Sequence, residues 1–178
     1  MRVYFNDDNT KRGVEGWYEI ADGKMTVYVE ATNCREDWLS NFTAFPLWDG
    51  FARGFVHAGY KAYARWLAGY IATVLTNYDM CWEDVTIIGY SMGGGIAQIV
   101  GEYFPELVTI VSIDGPRSTS GVRNPKGKLY CNRGSLVNCL PWWFCRLRIK
   151  IVLNKVFSPF WKSHGDYDIE ELIRRNHE

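Results

Sequence analysis

The stretch Val85-Thr86-Ile87-Ile88-Gly89-Tyr90-Ser91-Met92-Gly93-Gly94-Gly95-Ile96-Ala97 decides how the rest of the chain is read. The β-branched run Val85 to Ile88 predicts a buried strand, while Ile96, Ala97, Ile99 and Val100 recur at helical spacing and predict a helix. Between the two the chain must turn sharply, and Ser91 stands at the corner. Such a corner brings strand and helix backbones nearly into contact, so the residues two before and two after the serine have to be small. Here they are Gly89 and Gly93. A glycine-rich turn with a bystander serine is the plainer alternative.

Outward from this corner the pattern continues. Leu107-Val108-Thr109-Ile110-Val111-Ser112-Ile113 is an almost unbroken apolar run, as expected of a central parallel strand buried on both faces. Upstream, Tyr60, Tyr63, Ala64, Leu67, Ile71, Val74, Leu75 and Tyr78 form the stripe of a helix over Ala58 to Tyr78, packed on a sheet. Trp17 to Ile20 and Lys24 to Glu30 flank Ala21-Asp22-Gly23, which predicts a hairpin of two antiparallel strands. The second of these strands runs into a polar loop over residues 31–39. That loop leaves the sheet at its carboxyl end, where open α/β sheets bind ligands, and so brings Thr32 near Ser91.

The remaining segments carry weaker patterns. Residues 1–16 read as an irregular lead-in, and residues 40–56 as a long aromatic connection holding Phe42, Phe45, Trp48, Phe51 and Phe55. Beyond the central strand come a turn-rich loop from Gly115 to Lys128 and a short strand at Leu129 to Cys131. Residues 141–160 alternate over Arg146 to Ile151 and allow a helix after that. A short terminal helix is expected from Asp168 to Arg174. The expected fold is therefore α/β: one domain over residues 1–178, a mostly parallel central sheet with an antiparallel N-terminal hairpin, and helices on both faces.

Composition narrows the partners. With 47% hydrophobic residues the 178-residue chain can build a sizeable core. Twenty basic and twenty acidic residues balance to zero net charge, leaving no electrostatic footprint for nucleic acid. Five cysteines form neither an even set nor a C-x-x-C pair, so no metal and no cofactor is expected, and buried thiols in a reducing compartment are. Asp7 and Asp8 interrupt the place where a secretory signal needs an apolar core, and no run of 18 apolar residues occurs; the expectation is a cytoplasmic protein with no transmembrane segment.

A serine hydroxyl becomes a competent nucleophile only when a base takes its proton, and histidine suits that task near neutral pH. Of the three histidines, His57 precedes the serine and reads as structural, and His177 is penultimate. His164 lies downstream in Ser-His-Gly-Asp-Tyr, in the order serine, acid, base of the α/β-hydrolases. Asp114 ends the strand that follows the Ser91 helix. It is a candidate for the carboxylate that orients the imidazole, or else a turn former with Gly115-Pro116. Candidate oxyanion donors are the backbone N–H of Met92, at the positive end of the helix, and that of Thr32.

These residues resemble a known family. Asp37-Trp38-Leu39-Ser40-Asn41, Val56-His57-Ala58-Gly59-Tyr60, Gly89-Tyr90-Ser91-Met92-Gly93-Gly94, Gly115-Pro116-Arg117 and Asn132 through Pro141 are similar, in matching order, to the class 3 (fungal-type) lipases. The resemblance spans roughly residues 24 to 165. It implies an α/β-hydrolase fold and Ser-His-acid hydrolysis of carboxylic esters, with Ser91 as nucleophile, Thr32 in the oxyanion hole and His164 as base. The departures are specific. Tyr90 and Met92 stand where the family usually has His and Leu, and Ala31 where it has Gly. The family's acid lies in a G-D-x-V segment, which here reads Gly134-Ser135-Leu136-Val137, and Asp114 falls where the family normally has glycine. Either the acid has moved to the end of the preceding strand, a placement similar to that of pancreatic-type lipases, or the site is damaged or engineered.

The expected activity is a small serine esterase or lipase acting on a small-molecule or lipid ester, with a lipid interface as a candidate transient contact at Pro141-Trp142-Trp143-Phe144. A thioesterase or other acyl hydrolase could use the same machinery. A catalytically silent lipase-like binding domain is the reading from another class, favoured by Ser135.

Overall fold

The computed structural model describes residues 2–6, 14–30, 43–133 and 135–153. Its core is a seven-stranded sheet in the order β1-β2-β3-β6-β7-β8-β9, where β1 is Val3–Asn6, β2 Glu15–Ala21, β3 Lys24–Val29, β6 Val85–Tyr90, β7 Thr109–Ile113, β8 Gly127–Cys131 and β9 Ile149–Val152. β1, β2 and β3 pair antiparallel, and from β3 onward every pairing is parallel. The expected hairpin is present. Asp22 (φ 50°) and Gly23 (φ 71°) both sit at positive φ, as a two-residue type I′ turn requires.

Side chains sort by period two across the sheet. Met25, Val27, Val29, Val85, Ile87, Ile110 and Leu129 belong to one apolar cluster. Trp17, Tyr28, Ile88, Val111, Ile113 and Tyr130 form another on the opposite face. The first cluster is covered by two helices, α1 (Ala58–Tyr78) and α2 (Met92–Tyr103). The α1 stripe is the one its sequence foretold, with Tyr60, Tyr63, Ala64, Leu67, Ile71, Val74 and Leu75 all buried. Each fully buried side chain there, such as Leu67, Ile71, Ile87 or Ile99, stabilises the fold by about 1.5–3 kcal/mol. α1 stops at Asp79, whose left-handed backbone (φ 53°) returns an N–H to the Leu75 carbonyl.

Three expectations are corrected. The first residues are not an irregular lead-in: β1 adds an edge strand, pairing Val3 with Tyr18 and Phe5 with Gly16. The aromatic connection over residues 40–56 contains a separate two-stranded hairpin, β4 (Pro46–Asp49) and β5 (Gly54–His57). Leu107 and Val108 precede β7 rather than belong to it. There the Val108 carbonyl is taken by the Asn124 side-chain amide at 2.9 Å. The helix allowed after Ile151 and the terminal helix at 168–174 lie outside the described residues.

Candidate active site

Ser91 is where the sequence placed it, between the last residue of β6 and the first of α2. Its backbone has φ 51° and ψ −119°. A non-glycine residue in that region costs about 1–3 kcal/mol, so it persists only where the surroundings fix it. They do so through contact between backbones. A Cβ built on Gly89 would lie 2.6 Å from the Gly94 nitrogen, and one on Gly93 would lie 2.6 Å from the Glu30 carbonyl oxygen. Both glycines are therefore required by close approach, as the motif spacing implied. The Ser91 N–H donates to the Ile113 carbonyl at 2.9 Å, which ties the corner to the end of β7.

The sheet register brings Asp114 to the same edge. Tyr90 pairs with Ile113, so Ser91 and Asp114 each stand one position beyond that pair on neighbouring parallel strands. Asp114 is fully buried and has φ 48°. Its N–H donates to the Tyr130 carbonyl at 2.7 Å. The turn that follows is fixed from α2, since buried Gln98 donates from Nε2 to Ser112 Oγ at 3.1 Å and to the Pro116 carbonyl at 3.0 Å.

Both carboxylate oxygens of Asp114 accept side-chain hydrogen bonds. Ser135 Oγ donates to Oδ2 at 2.5 Å, and Asn138 Nδ2 donates to Oδ1 at 3.0 Å. Sequence reasoning had counted Ser135 only as the loss of an acid and had given Asn138 no role. They lie three residues apart, Asn138 inside a short 3₁₀ turn (Val137–Cys139) and Ser135 just before its cap, so only the spacing offered a signal. The neighbouring groups respond to the carboxylate. The Tyr90 phenol is pushed up by burial and then by the Asp114 charge. The Cys131 thiol is raised chiefly by burial, with Lys150 opposing and Asp114 adding to the shift.

Met92, the first residue of α2, is buried, and its N–H is among those that open the helix. His57 is buried too. Its ring stacks on Tyr60 with centroids 3.8 Å apart, and its backbone N–H donates to the Ser118 carbonyl. Thr32 and His164 lie outside the described residues.

The surface near this edge is aromatic. Trp142 and Trp143 are exposed, and Trp143 Nε1 donates to the Ala44 carbonyl at 3.1 Å, which joins their loop to the segment leading into β4. On that hairpin Trp48 and Phe55 meet edge to face at 5.5 Å, both exposed, and Phe45, Leu47 and Phe51 are exposed as well. No helix among the described residues is long and apolar enough to cross a membrane.

A strand-turn-helix corner with a serine at positive φ, set in a mostly parallel sheet with an antiparallel N-terminal edge, defines an α/β-hydrolase fold of the fungal-lipase form. Among solved structures the chain is similar to nonglycosylated Lip2 lipase from Yarrowia lipolytica, with a TM-score of 0.66 and 15% identity over 91% of this chain and 69% of that one. It is also similar to the lipase of Rhizopus microsporus var. chinensis, with a TM-score of 0.59 and 17% identity over 79% of this chain and 55% of that one. For the native Rhizomucor miehei lipase propeptide complex the TM-score is 0.59, with 14% identity over 79% and 52%. Several of these lipases are markedly longer; the chain spans 61% of a fungal lipase solved with an inhibitor. At such identities the likeness is one of fold. No family model and no curated protein matches the sequence.

Proposed function

We propose that this chain is a serine carboxylic-ester hydrolase, a lipase or esterase, that acts through an acyl-serine at Ser91. In this reading Ser91 Oγ attacks the ester carbonyl carbon as His164 takes its proton. The resulting oxyanion accepts hydrogen bonds from the N–H groups of Met92 and Thr32. The tetrahedral intermediate then expels the alcohol, which receives the proton from His164. Water, deprotonated by the same imidazole, attacks the acyl-serine and regenerates the hydroxyl. Asp114 holds the imidazole tautomer and stabilises the imidazolium. Ester chemistry as such comes from the likeness to lipases; what it asks of this chain is one exposed, preorganised serine.

The observation that carries the reading is the strained Ser91 backbone at a corner closed by Gly89 and Gly93, level in register with a buried carboxylate at the end of the neighbouring strand. A turn with a bystander serine gives no reason to hold a non-glycine residue at φ 51°. The silent-domain alternative rested on Ser135, and the carboxylate of Asp114 within 2.5 Å of Ser135 Oγ weakens that ground. Of the described cysteines only Cys131 is buried, whereas Cys81 and Cys145 are exposed, which corrects the expectation of buried thiols; that these and Cys139 are free supports a cytoplasmic setting. The exposed aromatics of the β4–β5 hairpin and of Trp142 support transient contact with a lipid surface. The test is turnover of a short-chain p-nitrophenyl ester by Ser91→Ala. Loss of turnover with the fold retained is expected, and undiminished turnover overturns the proposal.

A further inference from the structure

Ser135 and Asn138, we infer, are positioning residues that hold the Asp114 carboxylate aimed, so that a carboxylate carried by β7 does the work of an acid on the loop after β8. This rests on the proposed triad and goes further, because it gives a role to the segment that departs most from the lipase pattern.

Three observations carry it. The first is that a turn does not need a buried charge. Asp114 sits at φ 48°, where asparagine is equally at home, and an asparagine would make the same turn without desolvating a carboxylate. The second is that the charge is met by side chains placed for it. Ser135 Oγ lies 2.5 Å from Oδ2 and Asn138 Nδ2 lies 3.0 Å from Oδ1, with all three residues buried. Both donors are neutral side chains, and together they fix the orientation of both carboxylate oxygens. The third is that the donors are themselves held. Asn138 Nδ2 also donates to the Ser135 carbonyl at 3.1 Å, which locks the pair together. Arg117, three residues after Asp114, receives the segment from the other side: its N–H donates to the Leu140 carbonyl at 2.8 Å, and its guanidinium to the carbonyls of Asn138, Trp142 and Phe144 at 3.4 Å.

Among the described residues, titratable and charged groups near Asp114 include Tyr90 at the end of β6, Tyr130 and Cys131 of β8 and Arg117, with Lys150 of β9 and Arg146 acting on the Cys131 thiol.

The experiment measures kcat, KM and the pH profile of kcat/KM for ester hydrolysis by the full chain and its variants, with thermal unfolding recorded alongside. Wild-type turnover that depends on Ser91 is the precondition; its absence sinks the proposed function rather than the positioning role. Given turnover, Ser135→Ala lowers kcat about 10- to 100-fold, the loss expected from one hydrogen bond to a charged group, with KM little changed. Ser135→Thr, which keeps a hydroxyl, restores most of it. Asn138→Asp removes the amide donor and sets a second carboxylate against Asp114, so kcat falls and the pH profile of kcat/KM departs from that of wild type. In an Asp114→Asn background Ser135→Ala costs little more, because the donor acts through the carboxylate. The inference is overturned if Ser135→Ala and Asn138→Asp keep the wild-type kcat and pH profile. Equal losses from Ser135→Ala with Asp114 present or replaced, tracking the unfolded fraction, overturn it as well.

Discussion

Among the described residues two aspartates are fully buried, and the side chains seen to hold them differ in kind. Asp49, at the end of β4, is met by cations: Arg65 Nε at 3.2 Å and Lys61 Nζ at 3.7 Å, both from α1. Tyr103 from α2 donates at 3.3 Å, and the N–H groups of Phe51 and Ala52 close the shell. Asp114, at the end of β7, accepts from a hydroxyl and an amide. The Asp49 charge is answered locally and fastens a hairpin to two helices. Asp114 stands at the sheet edge where Ser91 emerges, and in the proposed triad its hydroxyl and amide donors steady the acid. Burial of an acid therefore does not by itself mark function; the chemistry of its partners separates a fastening from a working group.

The widest separation should come from replacing each carboxylate in turn. Asp114→Asn keeps the shape of the turn and is expected to lower kcat by about 10⁴-fold, as removal of the triad acid does elsewhere, with an unfolding midpoint close to wild type. Full activity in that variant would erase the distinction. Asp49→Ala should do the reverse. It leaves Arg65, Lys61 and Tyr103 without their acceptor and costs about 1–3 kcal/mol of stability, read by chemical denaturation, while turnover per folded molecule is unchanged.

A pH titration of stability sharpens the same contrast. Burial alone would raise the Asp49 carboxyl, but the hydrogen bonds from Arg65 and from the amides of Phe51 and Ala52 outweigh it and hold it below its ordinary 3.8. A depressed folded value means that the stabilisation is present above the unfolded value and is lost as pH falls through the folded one. Acid unfolding monitored below about pH 4 should therefore be steeper in wild type than in Asp49→Ala. The smallest effect on stability is expected at the exposed aromatics. Trp142→Ala should stay within about 0.5 kcal/mol of wild type, yet lower turnover of an aggregated long-chain ester more than of a soluble short-chain one. Equal loss on both substrates would remove the lipid-contact reading.

How much of this was legible in the chain depends on whether a pattern is local. The Ser91 corner could be read because two periodicities meet there and glycines flank the serine at fixed offsets. The α1 stripe and the Asp22-Gly23 turn were readable for the same reason. β1 escaped because four residues carry too little alternation, and its pairing with β2 spans a sequence gap. The β4–β5 hairpin escaped because its outer face is aromatic, so exposed Trp48 and Phe55 gave no polar half of an alternation. Ser135 and Asn138 were read as a departure because their acceptor lies 21 and 24 residues upstream, brought to them only by the parallel register of β7 and β8. Asp114 as an end-of-strand carboxylate was visible; its donors were not.

The central claim, that Ser91 is an activated nucleophile, is tested most directly by fluorophosphonate labelling followed by peptide mass analysis. An ordinary surface serine does not react, whereas one with a general base beside it and oxyanion donors ahead of it is phosphonylated. Stoichiometric modification of the peptide containing Ser91 is the expected result, lost in Ser91→Ala and strongly slowed in Asp114→Asn. A folded wild-type protein that stays unmodified, or one labelled equally well after Ser91→Ala, would contradict the account.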